Sequence, residues 1–234
     1  WVAVVTRWLP MPGTGSGEVG MSAPGGPEAM ALSNGLSGVV LYMGMWAVMM
    51  VAMMYPSSVP VFRLYYQTLD GTTRLGKATR VGAFMGTYAL VWGLTGVVPL
   101  VVNAVVPIAT VAREQSWLLV GGALVLLATY QLSPYKNRCL QHCRTPLGFL
   151  LEYHRPGVRG AARMSARFST YCIGCCWALF ALLVVAGSMN VLWMAAITLV
   201  LSVERTLEWG ERLAKGVGVV SAAAGVVLVV APVL

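Results

Sequence analysis

Charged side chains are scarce in this chain of 234 residues: they make up 10% of it, against about a quarter in soluble globular proteins. Hydrophobic residues make up 58%. The short strands of alternating polarity that a membrane β-barrel needs are also missing. Apolar stretches of about 20 residues recur instead, and each is long enough to cross a bilayer as a helix. The sequence therefore predicts an all-α fold, a polytopic transmembrane helical bundle.

Catalytic signatures are lacking as well. The chain has two histidines, and it shows no Ser-His-Asp arrangement, HExxH element, phosphate-binding glycine loop or pair of buried carboxylates. These absences argue against hydrolytic or nucleotide-driven chemistry and favour a non-enzymatic protein. The net charge of +8 does not indicate nucleic-acid binding, because membrane proteins keep Lys and Arg in their cytoplasmic loops.

The apolar segments predict about six complete spans and the remnant of a preceding one. Residues 1–9 are the remnant, residues 10–38 form a Gly- and Pro-rich extracytoplasmic loop, and residues 39–234 form the membrane helical domain. The six candidate spans lie at 39–61, 81–106, 117–135, 171–187, 189–203 and 216–234. Ser188-Met189-Asn190 predicts a tight hairpin between two of them, with Asn190 as a turn residue.

Basic residues orient these spans. They are concentrated in residues 63–80 and 136–170, whereas residues 10–38 contain two glutamates and no base. The positive-inside rule then places the basic loops, including 136–170 and 204–215, in the cytoplasm of a bacterial or archaeal cell. Glu204 and Arg205 are expected to form a solvated pair at the end of a span.

Methionine is concentrated in one helix. Six of the thirteen methionines lie between Met43 and Met54. On a helix they form two stripes on roughly opposite sides, one of Met45, Met49 and Met53 and the other of Met43, Met50 and Met54. Methionine is an ordinary filler of apolar helices, but thioether sulfur is also a soft, uncharged ligand that suits Cu(I). Packing and metal binding both remain open for this segment.

A second sulfur-bearing segment is CLQHC, residues 139–143. If it is helical, Cys139, His142 and Cys143 share one face. The alternative is that these are solvated thiols in an exposed loop. A structural zinc site normally has four ligands with C-x2-C-type spacing, and this segment does not have that pattern.

The third segment is YCIGCCW, residues 171–177, which holds three of the five cysteines. Cys172, Cys175 and Cys176 are spaced i, i+3 and i+4, so they lie on one face of a helix that is predicted to begin here.

The predicted topology brings all three segments to the cytoplasmic leaflet, where the methionine-rich helix is expected to end or bend at Pro56 and Pro60. Thiols stay reduced in the cytosol, and thiolates select Cu(I) or Zn(II). The sequence therefore predicts a soft-metal site, with Cu(I) as the expected ion and zinc as the alternative.

Four motifs together resemble a family of metal-binding integral membrane proteins that was long catalogued as a domain of unknown function. They are MWAVMMVAMMYPSSVP, YQLSPYKNRCLQHCRTPLGFL, YCIGCCWAL and MNVLWMAAITLVLSVER, and they span about residues 40–206. Some members are associated with copper supply to copper enzymes such as polyphenol oxidases. The resemblance implies membrane location and metal handling.

By position, the family's motifs fall on a defined set of candidate ligands. These are Met45, Met49, Met50, Met53, Met54, Cys139, His142, Cys143, Cys172, Cys175 and Cys176. One departure stands out: where the family pattern usually has His-Gly shortly before Tyr-Cys, this chain has Phe168 and Ser169. A histidine ligand, if relatives use one there, is lost in this chain.

Three functions follow from these features. The first is a non-enzymatic membrane protein that binds Cu(I) and holds it for, or delivers it to, a membrane or extracytoplasmic copper enzyme. The second is an accessory subunit of a larger membrane enzyme, such as a copper-dependent oxidase or monooxygenase, with a vestigial metal site. The third is a thiol–disulfide electron carrier that uses Cys172 and Cys175; it is the least favoured, because the predicted outer loops contain no cysteine with which to exchange electrons.

Overall fold

The computed structural model describes residues 23–69 and 73–230, and these are helical throughout apart from short connections. The predicted remnant at 1–9 and the start of the predicted loop at 10–38 lie outside the described residues. The helices in chain order are α1 (Gly26–Ser33), α2 (Gly35–Gln67), α3 (Arg74–Leu94), α4 (Val97–Val105), α5 (Ile108–Glu114), α6 (Ser116–Gln131), α7 (Pro134–Arg144), α8 (Pro146–Tyr153), α9 (Gly157–Gly187), α10 (Val191–Thr206) and α11 (Gly210–Val230). The all-α prediction is confirmed for this part of the chain.

The predicted count of about six membrane spans is not confirmed in the described residues. In the described residues four segments are long and apolar enough to cross a membrane, namely Gly35–Gln67, Arg74–Val105, Gly157–Gly187 and Gly210–Val230. A fifth is formed only if α5 and α6, which meet at 113°, act as one broken span. The count of about six is not confirmed, because α10 has only 16 residues and α6 also has 16.

The first described helix lies where the sequence predicts a loop. Helix α1 begins with Pro27 in its first turn, and its Glu28 is completely buried. Glu28 Oε1 accepts hydrogen bonds from the Tyr42 hydroxyl and the Ser188 hydroxyl, both at 2.9 Å. These bonds hold α1 against α2 and against the hairpin between α9 and α10, so a segment without apolar periodicity still folds.

Helix α2 does not end at either of the two prolines at which the sequence predicts an end or a bend. It continues past Pro56 and Pro60 to Gln67. Ser57 Oγ donates to the Met54 carbonyl at 3.0 Å, so this polar side chain is satisfied within the helix.

Helix α9 is the central element of the bundle and packs against α3, α6, α7 and α10. It begins at Gly157, fourteen residues before the predicted span at 171–187. Arg159, Arg163 and Arg167 recur every four residues on its exposed face, while Met164 and Phe168 are buried on the opposite face. The arginines lower the mean hydropathy of this stretch without interrupting the helix, because they all point the same way.

The predicted basic loop at 136–170 is therefore mostly helix, formed by α7, α8 and the first half of α9. Asn190 does have the predicted turn role: its side chain accepts hydrogen bonds from the backbone N–H groups of Leu192 and Trp193 and so caps α10.

Candidate metal centre

Three cysteine sulfurs meet inside the bundle. The Sγ atoms of Cys143, Cys172 and Cys175 all lie within 4.8 Å of one another. All three side chains are buried, and no cysteine of the chain is in a disulfide. Three convergent thiols at this spacing can hold one soft metal ion, since metal–sulfur bonds are about 2.3 Å long.

Two elements build this thiol group. Cys172 and Cys175 lie one turn apart on α9, at the middle of the helix and not at its start as predicted. Cys143 comes from the end of α7, which packs against α9, and its sulfur is 3.9 Å from that of Cys175. The CLQHC segment is thus helical, and its Cys143 meets the cysteines of YCIGCCW, a contact that the predicted topology permits.

The Cys143 thiol is buried beside the two other sulfurs of the group. Hydrogen bonding with the sulfurs of Cys172 and Cys175, together with burial, raises the pKa of Cys143. A metal ion that binds here replaces thiol protons, because the thiolate is the ligand.

Two further cysteines border the group. Cys176 is completely buried and its sulfur is 3.2 Å from that of Cys175. Cys139 is half-buried and packs over Gly174, where a Cβ atom would come within 2.9 Å of the sulfur. Burial raises the pKa of Cys139. Neither is a member of the group of three sulfurs.

His142 faces α9 but does not reach the thiols. Its ring stacks on the ring of Tyr171 with centroids 4.3 Å apart, and its Nδ1 lies 2.9 Å from the Arg138 carbonyl. His142 therefore belongs to the contact between α7 and α9, outside the group of three sulfurs.

The burial of the methionines of α2 does not follow the two predicted stripes. Met49, Met50, Met53 and Met54 are all 1% exposed or less, whereas Met45 is half-buried. Both stripes thus face the interior, because the buried face of α2 is wider than one stripe. The four buried methionines form part of the hydrophobic core that also contains the three cysteines.

Residue 168, where the resemblance implied a histidine in relatives, holds a ring in the core. Phe168 is completely buried, and its ring lies 5.8 Å from that of Tyr88 and 5.3 Å from that of Phe149. Ser169 donates a hydrogen bond to the Ser165 carbonyl within α9. These two positions supply aromatic packing and a helix contact.

A sequence model of the PpoB2 family, described as copper chaperone, matches residues 43–228. The match covers both cysteine segments and the methionine-rich helix. This chain belongs to the PpoB2 copper chaperone family. No curated protein and no solved structure matches it.

The residues present fit the copper that the PpoB2 family handles as its cargo. The three convergent donors are all sulfur, which is the ligand type that Cu(I) prefers. The hydrophobic core that contains these three donors also includes four buried thioethers. A copper-related function is therefore consistent with both the family and the donor set.

Polar residues that sequence reasoning missed surround the thiols of this PpoB2 protein. The Tyr88 hydroxyl lies 3.0 Å from Cys172 Sγ and accepts a hydrogen bond from Ser58 Oγ at 2.9 Å. Arg205 donates to Ser58 Oγ at 3.3 Å. Ser58 and Arg205 stand in the SSVP and VER portions of the family-like motifs, which is the signal that could have identified them. Tyr88 lies outside those motifs.

The prediction that Glu204 and Arg205 form a solvated pair is wrong. Glu204 is 1% exposed and forms a salt bridge of 2.7 Å with Lys136, which is itself completely buried. Gln131 bridges the two charges, accepting from Lys136 and donating to Glu204 at 3.0 Å. Arg205 is 4% exposed and turns toward α2. Both side chains point into the bundle because α10 packs against α2, α7 and α9.

Proposed function

We propose that this protein is a non-enzymatic membrane copper carrier that binds one Cu(I) at Cys143, Cys172 and Cys175. The observation that carries the proposal is the convergence of three buried sulfurs from two separate helices within 4.8 Å. Packing alone does not require cysteine at three such positions. The family supports copper over zinc, and an all-sulfur donor set is the ligand type that suits Cu(I).

The carrier role includes transfer to a partner. We infer that the recipient is a membrane or extracytoplasmic copper enzyme, and that the basic segments lie on the cytoplasmic side. The buried methionines Met49, Met50, Met53 and Met54 are proposed as weaker, uncharged ligands that Cu(I) can exchange with along α2. Cys139, His142, Cys176 and Met45 are proposed as peripheral to the site.

The experiment is a measurement of bound metal. The full chain is purified in mild detergent under reducing, oxygen-free conditions, loaded with Cu(I), desalted and analysed by elemental mass spectrometry. We expect one copper per chain in the wild type and a loss of bound copper in Cys172→Ser and in Cys143→Ser. Cys139→Ser is the matched control, because this thiol lies outside the group, and it should keep its copper.

Two results would contradict the proposal. Wild-type protein that binds no copper would show that the thiols are packing residues. Copper that is retained by a Cys143→Ser/Cys172→Ser/Cys175→Ser variant would place the site elsewhere in the chain. A parallel titration with Zn(II) shows which ion the thiols prefer.

A further inference from the structure

A chain of hydrogen bonds leads from a buried cation to one of the metal-site sulfurs. Arg205 Nη2 donates to Ser58 Oγ at 3.3 Å. Ser58 Oγ in turn donates to the Tyr88 hydroxyl at 2.9 Å, and that hydroxyl lies 3.0 Å from Cys172 Sγ. A guanidinium group has donors only, so it sets the direction of the whole chain. Ser58 Oγ accepts from Arg205, and the Tyr88 oxygen accepts from Ser58. The proton of the Tyr88 hydroxyl therefore points toward Cys172 Sγ.

No carboxylate among the described residues forms a salt bridge with Arg205. Its chain neighbour Glu204 is paired with Lys136 at 2.7 Å. Its Nη1 donates to Ser57 Oγ at 2.8 Å, and its guanidinium lies 5.9 Å from the centre of the Phe168 ring. Its Nε is buried and has no partner among the described residues.

A buried charge without a partner costs free energy of desolvation, so an opposite charge near Arg205 would stabilise the protein. A metal ion held by thiolates supplies one. For any given number of thiolates, the Cu(I) complex is one charge more negative than the corresponding Zn(II) complex. A fixed positive charge beside the site therefore stabilises the Cu(I) complex more than the Zn(II) complex, and the effect is strong where the surroundings have a low dielectric constant.

We propose that Arg205 determines the metal specificity of the thiol group, and that Ser58 and Tyr88 are positioning residues that link its charge to Cys172. This inference rests on the proposed function and adds a basis for the choice of a monovalent ion. Tyr88 acts by donating a hydrogen bond to the ligand sulfur, which stabilises metal-bound thiolate and orients it. Arg205 acts through its charge, and it touches no metal ligand directly.

The test measures affinity for two ions in the full chain. Dissociation constants for Cu(I) and Zn(II) are determined by competition with chromophoric chelators in detergent without oxygen. Partners of metal ligands typically contribute about 10- to 100-fold to affinity. We expect Arg205→Met to weaken Cu(I) binding by a factor in that range and to weaken Zn(II) binding less, so that the ratio of the two constants shifts toward zinc. Arg205→Lys keeps the charge and should preserve the ratio.

Tyr88→Phe removes the donor and keeps the ring. Because a hydrogen bond to the ligand sulfur stabilises the complex with either metal, we expect this variant to weaken the binding of Cu(I) and of Zn(II) to a similar extent. Tyr55→Phe is the matched control: the Tyr55 hydroxyl donates to the Met85 carbonyl at 2.9 Å and takes no part in the chain of hydrogen bonds. It should bind both ions as the wild type does.

The outcomes separate this inference from the proposed function. A wild type that binds no Cu(I) defeats the proposed function itself. A wild type that binds Cu(I) while Arg205→Met keeps the same ratio of affinities defeats only the role of Arg205. If Arg205→Met does not fold, Arg205→Gln removes the charge and keeps a hydrogen-bond donor, and an unchanged ratio of affinities in that variant would also overturn the role of Arg205. Wild-type Cu(I) affinity in Ser58→Ala would overturn the positioning role of Ser58.

Discussion

At the scale of single residues, the most consequential feature beside the thiols is a fully buried ion pair. Lys136 and Glu204 are 0% and 1% exposed, and they lie on α7 and α10. Gln131, at the end of α6, completes their hydrogen bonds. Three helices therefore depend on one polar contact, and α7 is also the helix that carries Cys143.

Removal of one charge from this pair should be strongly destabilising. Lys136→Met leaves the Glu204 carboxylate buried without its partner, so we expect the free energy of unfolding to fall by about 3–5 kcal/mol. The measurement is denaturant unfolding in detergent. Lys215→Met is the matched control, because Lys215 and Glu211 form a pair in which the side chains are 57% and 45% exposed. It should cost no more than about 1 kcal/mol.

The double variant Lys136→Met/Glu204→Leu is the internal check. It removes both charges, so it should recover part of the stability that Lys136→Met loses. Equal stability of Lys136→Met and the wild type would mean that the pair is hydrated in solution and does not hold the helices together.

Site residues differed in how far the sequence could reveal them. Cys143, Cys172 and Cys175 are among the eleven candidate ligands that the sequence predicts, because thiols spaced by one turn on two segments form a recognisable pattern, but the pattern does not single them out from the other eight. The burial of Glu204 and Arg205 was not predicted, since a charged pair at the end of an apolar run looks the same whether it faces water or a neighbouring helix. Tyr88 is a single tyrosine in an apolar segment, and only its position beside Cys172 reveals its role.

At the scale of elements, the helices with a purely apolar pattern were predicted and those with a mixed pattern were not. The segment 39–61 lies within α2, and 81–106 corresponds to α3 with α4. The first half of α9 was missed because its arginines suggested a loop. Helix α1 was missed because the contacts that hold it, from Glu28 to Tyr42 and Ser188, join residues far apart in the sequence.

Helices α6 and α11 approach each other closely at two glycines. A Cβ atom at Gly225 would lie 3.0 Å from the Gly121 carbonyl oxygen and 3.0 Å from the Val125 nitrogen. Both neighbours are backbone atoms, which cannot move aside without shifting a helix. Small residues of this kind let membrane helices pack backbone to backbone.

Gly225→Ala should therefore separate α11 from α6. We expect the overpacking to cost about 1–3 kcal/mol of unfolding free energy, measured as a lower midpoint of thermal unfolding in detergent. Gly122→Ala is the matched control on α6, because nothing lies within 4 Å of its Cβ position. It should be neutral or slightly stabilising, since alanine is the better helix former. Equal midpoints for the two variants would contradict the close contact.

At the scale of the whole molecule, helix length decides how each helix can cross the membrane. Helices α6 and α10 have 16 residues each, and at 1.5 Å per residue they are about 24 Å long, short of a hydrocarbon core of about 30 Å. Such a helix can cross only if the bilayer thins or if flanking residues reach the interface.

Reporter fusions to truncated chains test whether α6 crosses. The charge distribution predicts that residues before α6 are outside and that α7 is inside. A fusion after Glu114 should make alkaline phosphatase active and leave green fluorescent protein dark, while a fusion after Arg144 should do the reverse. Identical behaviour of the two fusions would mean that α6 does not cross, and that Cys143 and Glu114 lie on the same side.

Copper binding should change the dynamics of the bundle in one particular place. Two of the three proposed ligands belong to α9, which is the central helix, and the third belongs to α7, a short helix of 11 residues at the end of the bundle. A metal ion at this point joins α7 to the core, so it should reduce the local opening of α7. We expect hydrogen exchange of the amides in Pro134–Arg144 to slow on loading with Cu(I).

The amides of α11, which packs on α6 and α10, should be unchanged. The same slowing in Cys143→Ser would contradict the prediction, because in that variant the ion has no ligand on α7.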